Sequence, residues 1–311
     1  MSPTSTEKIL KSSDGTDIFA RAVGLHHKPS LVFVHGLALS GAVFDDLFKN
    51  QDLLDRFYLV SYDMRGHGRS GKPDTIEGHA SRLYADDFAV VVEAFSLKAP
   101  LLIGWSLGGK YSQMFKQNGR LTIHGTATVA CDICANLKPG SISGIVYAAG
   151  LPYIGPIMNE VGQPFVLGCV PGLYSTDDVT LSANTKLAFV ESVFNVPDSV
   201  PISIKWSWLG SATVQHPAVS QAVLSRIQDP EKLFEAGSKG LPLLMLYGTR
   251  DTHLNGEVAI KWMTPHFKNI EVHTIQGGSH ASFYDNEEEF VRTVVAYATR
   301  IFGEAQQQQE S

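Results

Sequence analysis

The sequence predicts an α/β protein: a mostly parallel sheet flanked by helices, with a helical cap inserted between strands 6 and 7. Three observations lead there. Short, continuous apolar runs alternate with segments of helical spacing along the chain. The runs are continuous rather than alternating, which marks strands buried on both faces, as in a parallel sheet covered by helices. Late in the chain, roughly ninety residues separate two such runs, too many for a loop without structure of its own.

The elements follow in order. Residues 7–11 and 16–23 flank Ser13-Asp14-Gly15, a turn signal that makes them a hairpin. Residues 30–34 form a buried strand ending at His35-Gly36, and residues 57–62 another ending at Asp63. Residues 82–96 place Leu83, Phe88, Val91, Val92 and Phe95 at helical spacing. Residues 100–103, 143–149, 242–247 and 269–275 complete the strands, and 287–302 the last helix. The segment 151–241 is rich in Pro, Gly and aromatics (Phe165, Phe189, Phe194, Trp206, Trp208, Phe234). A mostly helical cap suits it, because binding sites in such sheets lie at the strand carboxyl ends, where this segment emerges. The plainer alternative is a second helical layer without substrate contact. The expected organisation is a core of residues 1–150 and 242–305, a cap of 151–241, and a Gln-rich tail, 306–311, that frays.

Composition narrows the function. The chain has 311 residues, 44% hydrophobic and 18% charged, enough for a full core. Its formal net charge is −6, from 25 Lys+Arg against 31 Asp+Glu, and there is no basic run, so nucleic acid is not an expected partner. The polar start, Met1-Ser2-Pro3-Thr4-Ser5-Thr6, carries no apolar signal region, and no stretch approaches the roughly 18 apolar residues of a membrane span. Three cysteines fit a reducing compartment, and the expected location is cytoplasmic. Composition does not set the oligomeric state.

Five motifs sit at strand ends. Residues 104–109 read Gly-Trp-Ser-Leu-Gly-Gly, so a strand runs into G-x-S-x-G. A serine becomes a useful nucleophile when a sharp strand-to-helix turn lifts its oxygen toward a base, and flanking glycines let that turn close. His35-Gly36 follows an earlier strand, and Asp63-Met64-Arg65-Gly66-His67-Gly68-Arg69-Ser70 the next. Leu246-Tyr247-Gly248-Thr249-Arg250-Asp251 ends a late strand with an acid, and Gly277-Gly278-Ser279-His280 follows the last. In these motifs, over nearly its whole length, the chain resembles the α/β-hydrolase superfamily, in particular capped serine esterase and lipase-like members of fungal type. The order Ser, Asp, His is that family's order.

The resemblance implies roles. Ser106 attacks a carbonyl carbon, His280 takes and returns the proton, and Asp251 holds the imidazole tautomer. The backbone N–H groups of Leu107 and of Leu37 form the oxyanion hole. Trp105, Trp206 and Trp208 line a mainly apolar site for a small ester-like molecule. No cofactor or metal is required. Lactone, thioester or peracid chemistry would use the same parts. The family's dehalogenases and epoxide hydrolases carry Asp where Ser106 stands and are disfavoured. Cofactor-free haloperoxidase or perhydrolase activity is the alternative within the family, and a non-catalytic binding protein the alternative outside it.

Rivals carry less. Asp285 is a second acid near His280, expected to start the last helix. His26, His27, His79, His124, His216, His253, His266 and His273 lack a supporting motif and read as surface or structural. Gly104 to Lys110 satisfies a phosphate-loop pattern, but Tyr111 stands where the magnesium-binding Ser or Thr is needed. Cys131 and Cys134 spell C-x-x-C without a second pair and read as small residues one helical turn apart.

One segment does not fit. The helix after the nucleophile is expected to be buried, yet residues 110–120 bring Lys110, Gln113, Lys116, Gln117, Asn118-Gly119 and Arg120. Burying unpaired charge costs several kcal/mol per ion. Residues 127–137 have the small, apolar character expected directly after Gly109. Residues 110–126 therefore read as an insertion. Gly109-Lys110-Tyr111 can be encoded by GGT-AAG-TAY, a splice-donor-like string, so a retained intron is one candidate origin. A genuine surface excursion is the other.

Overall fold

The computed structural model describes residues 5–106, 128–155, 157–224, 226 and 228–310. The expected insertion at 110–126 and the expected oxyanion donor Leu107 lie outside the described residues.

In chain order the elements are β1 (Ser5–Lys11), β2 (Asp17–Val23), β3 (Ser30–Val34), α1 (Gln51–Leu54), β4 (Tyr58–Tyr62), α2 (Ser81–Ala94), β5 (Leu101–Trp105), α3 (Val129–Asn136) and β6 (Gly144–Ala148). Then follow α4 (Met158–Val161), α5 (Pro164–Tyr174), α6 (Val179–Glu191), α7 (Ile202–Thr213), α8 (Pro217–Leu224), α9 (Glu231–Ser238), β7 (Leu243–Gly248), α10 (Gly256–Met263), β8 (Ile270–Ile275), α11 (Ser282–Asp285) and α12 (Glu287–Glu310).

The eight strands form one sheet in the order β1-β2-β4-β3-β5-β6-β7-β8. β1 and β2 are the antiparallel hairpin, and β2 meets β4 antiparallel; every pairing from β4 through β8 is parallel. All residues of β3, β4, β5, β6 and β7 are buried, which is why their sequences read as almost continuous apolar runs. The edge strands differ: β1 and β8 are largely exposed and carry charged or polar residues, which discourages pairing with another chain.

α2, α3 and α9 pack side by side as one helical layer, and α1 and α12 pack against each other as another. The cap stands between β6 and β7, where α5 packs on α6 and α8, and α6 on α7. Within the segment 151–241, α9 stands apart from the other helices. That helix packs on α3 and on the 3-10 turn Thr264–His266, with Leu233 buried, so it belongs to the core layer. The reason is topological: a parallel β6–β7 connection needs a crossover helix lying on the sheet. α12 continues through Glu310, into the Gln-rich tail. Gln and Glu are good helix formers, and extending an existing helix costs far less than nucleating one.

Two fully buried arginines tie the layers together. Arg65 joins Asp87 (2.6 Å) and Asp14 (2.8 Å), and Arg226, just past α8, joins Asp132 of α3 (2.9 Å). Asp132 also accepts from Ser81 and Gln228. Breaking a pair of this kind leaves a buried charge uncompensated. Cys131 and Cys134 lie one turn apart on α3 as free thiols.

Candidate active site

Ser106 is the residue at which β5 stops. Its φ is +64°, in the left-handed region that a side chain with a Cβ rarely adopts. Ala38 (φ +59°) and Ala149 (φ +47°) share that conformation just past β3 and β6, the two strands that flank β5. Three strained turns therefore cluster at the carboxyl edge of the central strands, a placement typical of functional sites. The Ser106 N–H donates to Ala149 O (3.1 Å), which anchors the turn to the end of β6.

His280 arrives on the loop after β8, and its Nε2 lies 2.5 Å from Ser106 Oγ. Its Nδ1 faces both oxygens of Asp251 at 2.9 Å. A carboxylate only accepts, so Nδ1 carries the hydrogen and Nε2 presents its lone pair to the serine hydroxyl. Asp251 is itself aimed. Its Oδ1 accepts the N–H of His253 (2.7 Å) and of Leu254 (2.9 Å). All three side chains are buried.

The acid and base loops are packed backbone on backbone. A Cβ on Gly248 would sit 2.1 Å from Gly278 O, so glycine is required there. Arg250 N–H donates to Gly278 O (2.9 Å), and Gly277 N–H to Thr249 Oγ1 (2.8 Å). Trp105 Nε1–H donates to His280 O (2.9 Å), linking the strand before the serine to the base.

The loop after β3 closes over the serine. A Cβ on Gly36 would lie 2.7 Å from Ser106 Cβ and 3.0 Å from Oγ. His35 pins this loop: its Nδ1 faces Gly36 O (2.8 Å), and its Nε2 accepts the Met64 N–H (3.0 Å). Burial pushes His35 below its ordinary pKa, in keeping with a neutral acceptor. The next residue is Leu37, whose N–H has no acceptor among the described residues. An amide without an acceptor, on a loop packed against the serine, is what an oxyanion donor requires.

The aromatic expectations divide. Trp105 and Trp208 are buried with ring centroids 5.8 Å apart, and both meet Phe283. Trp208 also borders a groove of about 210 Å³ between the core and α7, together with Asp46, Lys49, Ser207 and Tyr284. Trp206 differs from them: it is 65% exposed and joins none of these ring contacts among the described residues. Residues two apart on a helix point about 200° apart, so α7 cannot turn both tryptophans inward. Asp285 ends α11 rather than starting the last helix, and its Oδ2 accepts the Asn195 N–H (2.7 Å).

Sequence reasoning missed His253. It is buried and stacked on His280, with ring centroids 4.2 Å apart. It lies two positions past Asp251, with nothing in the local sequence to set it apart from the other histidines.

A family model for the alpha/beta hydrolase family matches residues 31–293. The chain belongs to the alpha/beta hydrolase family. Over its full length it is similar in structure to an esterase from Rhodococcus sp. ECU1013, with a TM-score of 0.76, 24% identity, and coverage of 95% of this chain and 99% of the other. A bromoperoxidase from Bacillus anthracis superposes with a TM-score of 0.73 at 17% identity, covering 94% of this chain and all of the other. Among curated proteins, a bifunctional esterase/perhydrolase from Acinetobacter calcoaceticus is 39% identical over 102 residues, 32% of this chain and 35% of that protein. A non-heme chloroperoxidase from Streptomyces lividans is 40% identical over 103 residues, again 32% and 35%. The chain spans about a third of the length of these curated relatives. No helix among the described residues is long and apolar enough to cross a membrane.

Proposed function

We propose that this hydrolase-family chain cleaves an ester, or a related acyl bond, of a small and mainly apolar molecule through an acyl-serine intermediate. The observation that carries the reading is the unbroken relay from Asp251 through His280 to a serine held in a left-handed turn. Ser106 Oγ bonds to the carbonyl carbon as its proton passes to His280 Nε2. The carbonyl oxygen takes up the negative charge and accepts from the amides of Leu37 and Leu107. Collapse breaks the bond to the leaving alcohol, which takes the proton from Nε2. Water, deprotonated by His280, then attacks the acyl carbon and frees Ser106. Every step uses protein groups and water.

The buried rings of Trp105, Trp208 and Phe283 around the site support an apolar acyl group. Three free thiols support a reducing, cytoplasmic setting. The relatives that make peracids or oxidise halide favour one second reading. Hydrogen peroxide in place of water would attack the same acyl-serine and release a peracid. The test is a Ser106→Ala comparison on p-nitrophenyl esters, lactones and thioesters, with and without peroxide. Loss of all turnover in the variant fits the proposal, and unchanged ester turnover overturns it. Bromide oxidation outpacing hydrolysis in the native chain would select the second reading.

A further inference from the structure

The segment after α6 crosses from the cap to both loops that carry the relay. Thr252 Oγ1 donates to Ser192 O (2.6 Å), beside the acid. Ala281 N–H donates to Val193 O (2.9 Å), beside the base. Asn195 donates from Nδ2 to Gly277 O (2.7 Å) and from its backbone to Asp285 Oδ2 (2.7 Å). Residues 192–195 are therefore stitched to the acid loop on one side and the base loop on the other. One contact goes further inward: Ser192 Oγ lies 2.7 Å from His253 Nε2.

His253 lies between this segment and the base. Its ring stacks on His280 with planes 26° apart, and Phe189 (5.0 Å) and Phe165 (6.2 Å) pack against it from the cap. The backbone of His253 is held as well, since its O accepts the Gln163 N–H (2.8 Å) and its N–H serves Asp251. The titratable groups it faces are His280 and Asp251; the cap turns Phe165, Phe189 and Ser192 toward it.

One proton sets its tautomer. Ser192 Oγ donates to Phe189 O (2.9 Å), a carbonyl that can only accept. The hydroxyl has no second hydrogen, so it accepts from His253, and Nε2 carries the N–H. The opposite tautomer would leave a buried N–H on Nδ1, an atom with no partner, and orphaned N–H groups are the costlier kind. Burial, and then the neighbouring His280, push His253 far below its ordinary pKa, so the ring is neutral.

We propose that His253 is a positioning residue for the His280 base: a neutral imidazole, moored to the cap through Ser192, whose stacked ring holds His280 in line with Ser106 and steadies the imidazolium formed as Ser106 attacks. The inference rests on the acyl-serine reading. It makes the cap part of the catalytic apparatus, because the residues that moor His253 belong to α6 and the segment after it. A neutral ring against a forming cation in a dry site is worth about tenfold in rate.

The experiment is hydrolysis of p-nitrophenyl butyrate by the full chain from about pH 5 to pH 9, with unfolding followed in parallel. His253→Leu, which removes the ring, is expected to lower kcat about tenfold with KM changed less than about twofold. It also moves the acidic limb of kcat/KM to lower pH, because the imidazolium of His280 has lost its support. His253→Phe, which keeps a ring, restores kcat to within about threefold and returns the limb toward the native position. Ser192→Ala, which removes the mooring together with the hydroxyl's bond to Phe189 O but leaves the His253 ring, lowers kcat about threefold. A folded His253→Leu with native kcat and pH profile overturns the proposal, as does a His253→Phe no better than Leu. If the Leu variant does not fold, Ser192→Ala with native kcat overturns it. Activity surviving in Ser106→Ala would instead bring down the acyl-serine reading and leave these outcomes distinguishable.

Discussion

Replacing Gly36 by Ala puts a methyl where Ser106 already is. The added carbon would lie 2.7 Å from Ser106 Cβ and 3.0 Å from Oγ, where ordinary contact begins near 3.4 Å, with Trp105 Cε3 at 3.5 Å. Neither neighbour can give way cheaply. Ser106 is held by its N–H on Ala149 O and its Oγ on His280, and the indole of Trp105 is buried and hydrogen-bonded to His280 O. The serine turn or the Leu37 loop must therefore move by several tenths of an ångström. A misplacement of about 1 Å at a reacting group costs about 10²-fold, so kcat/KM should fall on the order of 30- to 100-fold, about 2–3 kcal/mol of transition-state stabilisation. Overpacking adds a stability loss of about 1–3 kcal/mol. Steady-state p-nitrophenyl butyrate hydrolysis and urea unfolding read the two effects separately. Gly168→Ala on α5 is the control, because a Cβ there meets nothing within 4 Å. A folded Gly36→Ala within threefold of native kcat/KM would refute the placement of this loop against the nucleophile.

Three further outcomes are expected. Asp251→Asn keeps the shape of the acid but removes its charge and its hold on the His280 tautomer, so kcat should drop by about 10³- to 10⁴-fold with folding little changed; a loss below tenfold in ester turnover would contradict the assigned acid. Burial lowers the His79 pKa to about 4, against partial support from the Pro73 carbonyl, so the unfolded chain binds the proton first as pH falls. Stability then declines from about pH 6.5 to 4, by up to about 3 kcal/mol from this group, and His79→Gln should flatten that part of a urea-midpoint profile. Excising residues 110–126 joins Gly109 to Ala127 and should raise the urea midpoint or kcat/KM if the segment is an insertion; a variant neither more stable nor more active counts against that, and a transcript encoding the segment in frame counts against an intron.

What the sequence discloses follows the range of the forces involved. Strands β3 to β7 are legible because each is buried on both faces, so nearly every residue in turn is apolar, with Ser30 and Ser61 the polar exceptions. Ser106, Asp251 and His280 are legible because each sits at a strand end beside glycines that backbone crowding demands, as Gly36, Gly248 and Gly278 show. His253 is illegible for the opposite reason. Its role depends on Ser192 and Phe189, some sixty residues earlier in a cap whose path no local pattern reveals. Trp206 and Trp208 look alike in composition, and only the rotation of α7 decides which is buried. α9 lies inside the segment 151–241 that length and composition mark out as one unit, and its packing on α3, a contact between distant parts of the chain, is what sets it apart.

The central claim, covalent acylation of Ser106, is tested most directly by quenching the reaction with p-nitrophenyl butyrate in acid within milliseconds and weighing the intact protein and its peptides. The account predicts a butyryl group on the peptide containing Ser106, matched by a burst of nitrophenol, and no such mass in Ser106→Ala. Turnover of the ester with no acyl mass on that peptide would contradict it.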